Sequence, residues 1–256
     1  MGLPKPAPPT PVRFDTWPYP KRCAHRGAGK LAPENTLAAF RHGAGFGYRM
    51  FEFDAKLSAD GVALLMHDPT LERTSNGRGR VAGKSFGELS QLDAGSWHSP
   101  AFAGESIPSL ERIARWLNAN HCVANIEIKP CPGREAETGA AIALEARHLF
   151  AGRDIPPLLT SFSEAALEAA RQAAPELPRG LLVNQLPGDW VARCKRLSCV
   201  AIDSHFSQLS REMIALAHAE GLRVAAYTVN DVELAERFTG WGLDVLITDI
   251  VDHIKP

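Results

Sequence analysis

Glu52 and Asp54, in MFEFDAKLS, stand two residues apart, and so do Glu127 and Lys129, in VANIEIK. In an extended strand that spacing puts both members of a pair on one face. Phe51 and Phe53 take the opposite face of the first run, and Ile126 and Ile128 that of the second. The apolar faces suit packing under helices, which leaves the charged faces turned to the interior of a sheet. Burying an acid there is costly unless it is paired or holds a metal. Three carboxylates brought close together repel, and a divalent cation such as Mg2+ or Ca2+, which takes oxygen ligands, removes that cost. The competing reading is structural, a salt bridge such as Lys129 with Glu52. A second charged strand weighs toward a functional site.

Two histidines end apolar runs of the same kind, His25 in RCAHR and His67 in VALLMHD. A lone histidine at a strand end is more often a satisfied structural group. Two of them beside a cluster of acids suit general acid–base work, because imidazole titrates near neutral pH. Arg26 follows His25, and its planar fork matches phosphate; an outward salt bridge competes with that reading. PENT (33–36) is by itself only a capping signal. Of the remaining histidines, His42, His148 and His218 are expected on helices facing solvent. His98, His121 and His253 have no chemical context, and His205 is left open because it follows a strand end at Asp203.

The elements that must position these groups are legible as alternation. Strand runs are expected at 22–26, 50–58, 62–68, 123–129, 157–162, 179–183, 199–203, 223–229 and 244–249. Helical patterns lie between them, with Asn35 or Thr36, Ser163 and Ser210 as caps and Gly221 as a stop. Repeated strand–helix units build a parallel sheet covered by helices. Only Ala59, Asp60 and Gly61 separate the second and third runs, too few for a parallel crossover. The third run therefore returns antiparallel, and the other eight make a TIM (β/α)8 barrel. Residues from 69 to about 119, after the His67-Asp68 pair, break the alternation and read as a small insertion capping one end of the barrel. The domain plan is a proline-rich lead-in over 1–17 and one barrel domain over 18–256.

Composition is consistent with this plan. A chain of 256 residues with 45% hydrophobic content can bury one large core. A net charge of -1 without like-charge blocks gives no sign of a nucleic-acid groove or a basic membrane face. The five cysteines contain no CxxC pair and read as free thiols in a reducing compartment. The start, MGLPKPAPPTPVRF, lacks the apolar segment of a secretory signal, and no run approaches bilayer-spanning length. A soluble cytoplasmic protein without membrane insertion is expected.

Taken in order, HRG (25–27), PENT (33–36), EFD (52–54), HD (67–68), EIK (127–129), SF (161–162), YTVN (227–230) and TD (248–249) resemble the glycerophosphodiester phosphodiesterases, from about residue 18 to 252. HDPTLERTSNGRG, DAGSW and NIEIKP are most similar to the bacterial cytoplasmic members. The resemblance implies the barrel with its small insertion, and one divalent cation, Mg2+ or Ca2+, held by Glu52, Asp54 and Glu127. It implies His25 and His67 as the acid–base pair and Arg26 and Lys129 on the phosphate. Tyr227 stands where many members have Trp, as an aromatic wall against the glycerol. The reaction implied is hydrolysis of a small glycerophosphodiester to sn-glycerol 3-phosphate and an alcohol, with the substrate's own 2-hydroxyl as nucleophile and a cyclic phosphate between. Two other readings compete. A lipid-cleaving relative on the same barrel would need an apolar rim, for which the insertion offers Phe86, Trp97 and Phe102. A non-catalytic binding protein would lack a histidine or an acid, and none is missing.

Overall fold

All nine apolar runs contain a strand, but the bounds shift: the third run is extended only over Ala63–Leu65, so His67 lies in the loop beyond it, and the seventh starts at Ala201 and runs on to His205 instead of ending at Asp203. In the computed structural model, which describes residue 14 and residues 16–256, the strands are β1 (Arg22–Ala24), β2 (Met50–Leu57), β3 (Ala63–Leu65), β4 (Val123–Ile128), β5 (Leu158–Ser161), β6 (Arg179–Val183), β7 (Ala201–His205), β8 (Arg223–Tyr227) and β9 (Val245–Thr248). The expected lead-in over 1–17 lies outside the described residues except for Phe14, Thr16 and Trp17. The helices are α1 (Leu37–Gly45), α2 (Phe86–Leu89), α3 (Leu110–Ala119), α4 (Glu135–Leu149), α5 (Glu164–Ala173), α6 (Trp190–Arg196), α7 (Arg211–Ala219) and α8 (Val232–Gly240). Side-chain caps start several of them: Thr36 on α1, Ser163 on α5, Ser210 on α7 and Asp231 on α8.

Strands β1, β2 and β4 to β9 run parallel, and β1 pairs with both β2 and β9, so the sheet closes into a TIM-type barrel. The three-residue link after β2 cannot make a crossover, and β3 returns antiparallel on it, with Ala55 opposite Leu65 and Leu57 opposite Ala63.

Alternation then sorts each strand. Phe51, Phe53, Ile126 and Ile128 face outward into a core completed by Phe40, Ile113 and Ile142 of the helices. Burying each such side chain contributes roughly 1.5–3 kcal/mol. The inward side chains fill the barrel in layers. An apolar floor of Cys23, Met50, Val123, Leu158 and Val245, joined by Trp17 and Tyr19, lies at the N-terminal ends of the strands. Above it the interior turns polar. Residues 69–109 leave the alternation and pack Leu71, Val81, Leu89 and Ile107 against Leu64 and Met66.

Candidate active site at the C-terminal strand ends

Strand β2 pairs with β4 so that Asp54 lies beside Glu127 and Glu52 beside Asn125. This register gathers Glu52, Asp54 and Glu127, each offering one oxygen within 4.8 Å of the others, all buried. Lys129 donates to Glu127 Oε1 at 2.8 Å and lies 3.5 Å from Asp54 Oδ1, not against Glu52 as the salt-bridge reading had it. Arg26 is turned inward. Its Nε is 3.3 Å from Asp54 Oδ2, and its Nη1 donates to Glu34 at 2.9 Å.

Two cations against three buried acids leave negative charge uncompensated, which a low-dielectric interior tolerates poorly. The carboxyls respond in opposite directions. Burial raises Glu52, and the charges of Asp54 and Glu127 raise it further. Burial and Asp54 push Glu127 up to about 7. Asp54 also feels burial, but Arg26, Lys129 and His67 hold it well below the usual carboxylate range. Glu52 Oε1 and Asp54 Oδ1 are buried without a hydrogen-bond partner among the described residues. Excess charge, converging oxygens and unfilled acceptor positions are what a hard divalent cation requires, so the donor set fits one.

Both histidines carry a carboxylate on the same ring atom. His25 Nδ1 is 2.6 Å from Asp249 Oδ1, and His67 Nδ1 is 2.7 Å from Asp68 Oδ1. An ionised carboxylate only accepts, so Nδ1–H donates in each and Nε2 is left for chemistry. His25 Nε2 lies 3.7 Å from Glu52 Oε2. Burial lowers the His67 pKa, while the charge of Asp54 and the hydrogen bond donated to Asp68 act to raise it. Lys56, buried on β2, donates to the carbonyls of His67 and Asp68 at 2.8 and 2.7 Å and fixes that chain end.

Backbone geometry holds the first loop against these groups. Arg26 has φ of 49°, a left-handed value costly for an arginine unless the surroundings impose it, and Asn35 has φ of 60°, which asparagine takes more readily. In that conformation the Arg26 N–H donates to Glu52 Oε2 at 3.1 Å. Gly29, at φ of 58°, lets the loop approach Asp249; a Cβ there would sit 2.1 Å from the Asp249 Cα.

Several participants carried no assigned role in the sequence reading. Asn35 donates to Asp54 Oδ2 at 2.8 Å and accepts from the Asp54 N–H at 3.1 Å, so PENT supplies more than the Thr36 cap. Arg73, from the segment after His67, forks onto Glu34 and Asp68 and ties the two loops together. Asn230 donates to Asp249 at 2.7 Å. The signal for Asp68, Asp249 and Asn230 was their place in HD, TD and YTVN. Tyr227 sits at the rim, its hydroxyl 2.8 Å from the Val183 carbonyl and 3.0 Å from Asn184 Oδ1. Its ring is flanked nearly at right angles by Phe162 and by His205, the histidine left open above. His42, His148 and His218 are exposed on helices, as expected. Of the three aromatics proposed for a lipid-docking rim, only Trp97 is exposed, while Phe86 and Phe102 are partly buried against neighbouring clusters. Among the described residues, no helix is long and apolar enough to cross a membrane. All five cysteines are buried and unpaired.

Residues 25–253 match the model of the glycerophosphoryl diester phosphodiesterase family. A glycerophosphodiester phosphodiesterase of Caldanaerobacter subterraneus subsp. tengcongensis is 33% identical over 88% of this chain and 92% of its own. Among solved structures, an Oleispira antarctica phosphodiesterase in complex with the product sn-glycerol-3-phosphate superposes with a TM-score of 0.84 at 36% identity, covering 90% of this chain and 93% of that one. A glycerophosphodiester phosphodiesterase from Agrobacterium tumefaciens superposes with a TM-score of 0.74 at 30% identity, covering 91% and 97%.

Proposed function

The chain belongs to the glycerophosphoryl diester phosphodiesterase family, and from that premise we propose how its residues carry the glycerophosphodiester phosphodiesterase activity. The substrates are small glycerophosphodiesters such as glycerophosphocholine and glycerophosphoethanolamine, and the products are sn-glycerol 3-phosphate and an alcohol. The observation that carries the reading is one cleft with three converging carboxylates and two histidines, each histidine oriented by its own carboxylate.

Glu52, Asp54 and Glu127 would hold one divalent cation, Mg2+ or Ca2+, which would supply positive charge near a phosphoryl oxygen and acidify a nearby hydroxyl. Arg26 and Lys129 meet the phosphate. His25, with Nε2 free, takes the proton of the glycerol 2-hydroxyl as that oxygen attacks phosphorus. His67 donates a proton to the departing alcohol, and a bound phosphodiester anion raises its affinity for that proton. The two exchange roles when water opens the cyclic phosphate. Tyr227 forms an aromatic wall beside the glycerol. Five unpaired thiols favour a reducing, cytoplasmic setting.

Release of sn-glycerol 3-phosphate from glycerophosphocholine, measured with and without chelator, tests the reaction. Activity that survives full chelation would sink the cation's role. The histidine assignment has a separate test. His67→Ala should regain activity on a diester with a nitrophenolate leaving group, which needs no proton, whereas His25→Ala should not.

A further inference from the structure

Asp203, on β7, plays no part in the chemistry above, yet it is 1% exposed and faces the barrel interior. Both of its carboxyl oxygens are buried without a hydrogen-bond partner among the described residues. A buried polar group in that state is destabilising, and its retention calls for a reason. It lines a cavity of about 20 Å3 together with His25, Glu52, Glu127 and Tyr227, with Leu182 and Ile247 among its apolar lining. That volume admits one water-sized group. Asp203 lies two residues before His205, which pairs across the sheet with Tyr227, so it sits one layer deeper than the aromatic rim.

We propose that Asp203 is a specificity-determining residue that receives the terminal hydroxyl of the substrate's glycerol. The inference rests on the proposed reaction and deepens it. With the phosphate and the 2-hydroxyl held by the cleft, the terminal hydroxyl is the one polar group left on the glycerol half. It is borne on the adjacent carbon and is the size of group the cavity accepts. It donates its hydrogen to Asp203, whose oxygens can accept in either protonation state. A fatty-acyl ester at that position has no hydrogen to give and is far larger than a cavity of that volume accepts. The site therefore selects deacylated glycerophosphodiesters over lysophospholipids.

The test compares glycerophosphocholine with 2-hydroxypropyl phosphocholine, which keeps the 2-hydroxyl and lacks the terminal one. A site built around a hydroxyl rejects the analogue without it strongly, so the wild-type kcat/KM should favour glycerophosphocholine by about 10²-fold or more. Asp203→Asn should shrink this ratio, and Asp203→Leu should bring it to within about threefold of unity. A purely structural role for Asp203 would slow both diesters alike and leave the ratio intact, which overturns the assignment. Equal turnover of both by the wild type overturns it without any variant. Calorimetric binding of sn-glycerol 3-phosphate against 2-hydroxypropyl phosphate reads the same preference without catalysis. Inactivity on glycerophosphocholine would thus count against the proposed reaction, while equal binding of the two phosphates would count against Asp203.

Discussion

Each histidine proposed for the acid–base work is held by a carboxylate that fixes its ring direction. His67 is the clearest case, with Asp68 accepting from Nδ1 and Lys56 anchoring the carbonyls of His67 and Asp68. Removing the carboxylate that orients a general acid–base histidine can lower kcat by as much as about 10⁴-fold. Asp68 raises the His67 pKa against the lowering effect of burial. Asp68→Asn should therefore lower kcat by up to that order and move the alkaline limb of the pH–rate profile to lower pH, because His67 loses its proton earlier. An unmoved limb would remove His67 from the acid role. Glu52→Gln removes the negative charge and one of the two oxygens of a converging carboxylate and should reduce kcat/KM by on the order of 10³-fold, about 4 kcal/mol. Titration calorimetry should show weakened cation binding in the same variant.

At the scale of elements, the register of β2 on β4 decides the electrostatics, since it sets Asp54 beside Glu127. Glu127 keeps its proton in the fold up to about 7, against an ordinary value of 4.5. Between those values the folded protein without a cation binds the extra proton, so this group's contribution to stability falls as pH rises through that window. A cation needs the carboxylates deprotonated. Binding at pH 6 should consequently release more protons than binding at pH 8, measurable by calorimetry in buffers of different ionisation enthalpy. Equal release at both would mean that the acids are already ionised. The loop after β1 depends on close backbone approach. Gly29→Ala would drive a Cβ into Asp249 from a left-handed conformation, and it should cost about 1–3 kcal/mol of stability in denaturant unfolding.

For the molecule as a whole, the barrel separates stability from chemistry along its axis. The outer shell and the floor are apolar, and the unfavourable groups collect at the C-terminal ends of the strands. A cation that binds only the folded state should stabilise it by about 2.7 kcal/mol at a hundred times its Kd, and so raise the melting temperature in a concentration-dependent way. Glu52→Gln should blunt that response in the same thermal scans. An identical rise in the variant would place the ion elsewhere.

Much of this was readable from local pattern. The period-two placement of Glu52 with Asp54, and of Glu127 with Lys129, put charge on the inward face before any tertiary contact was known, because a strand's side chains must alternate. The three-residue link between β2 and β3 fixed the hairpin for an equally local reason, chain reach. What pattern could not supply was pairing across distance. Asp249 meets His25 from 224 residues away, Asn35 reaches Asp54, and Arg73 joins Glu34 to Asp68. Nor could it show that Asp203, on an ordinary-looking strand, would be enclosed without a partner. Alternation and reach belong to the chain itself, so the sequence determined which face and which direction; who meets whom depends on closing the barrel, and only the tertiary structure decided it.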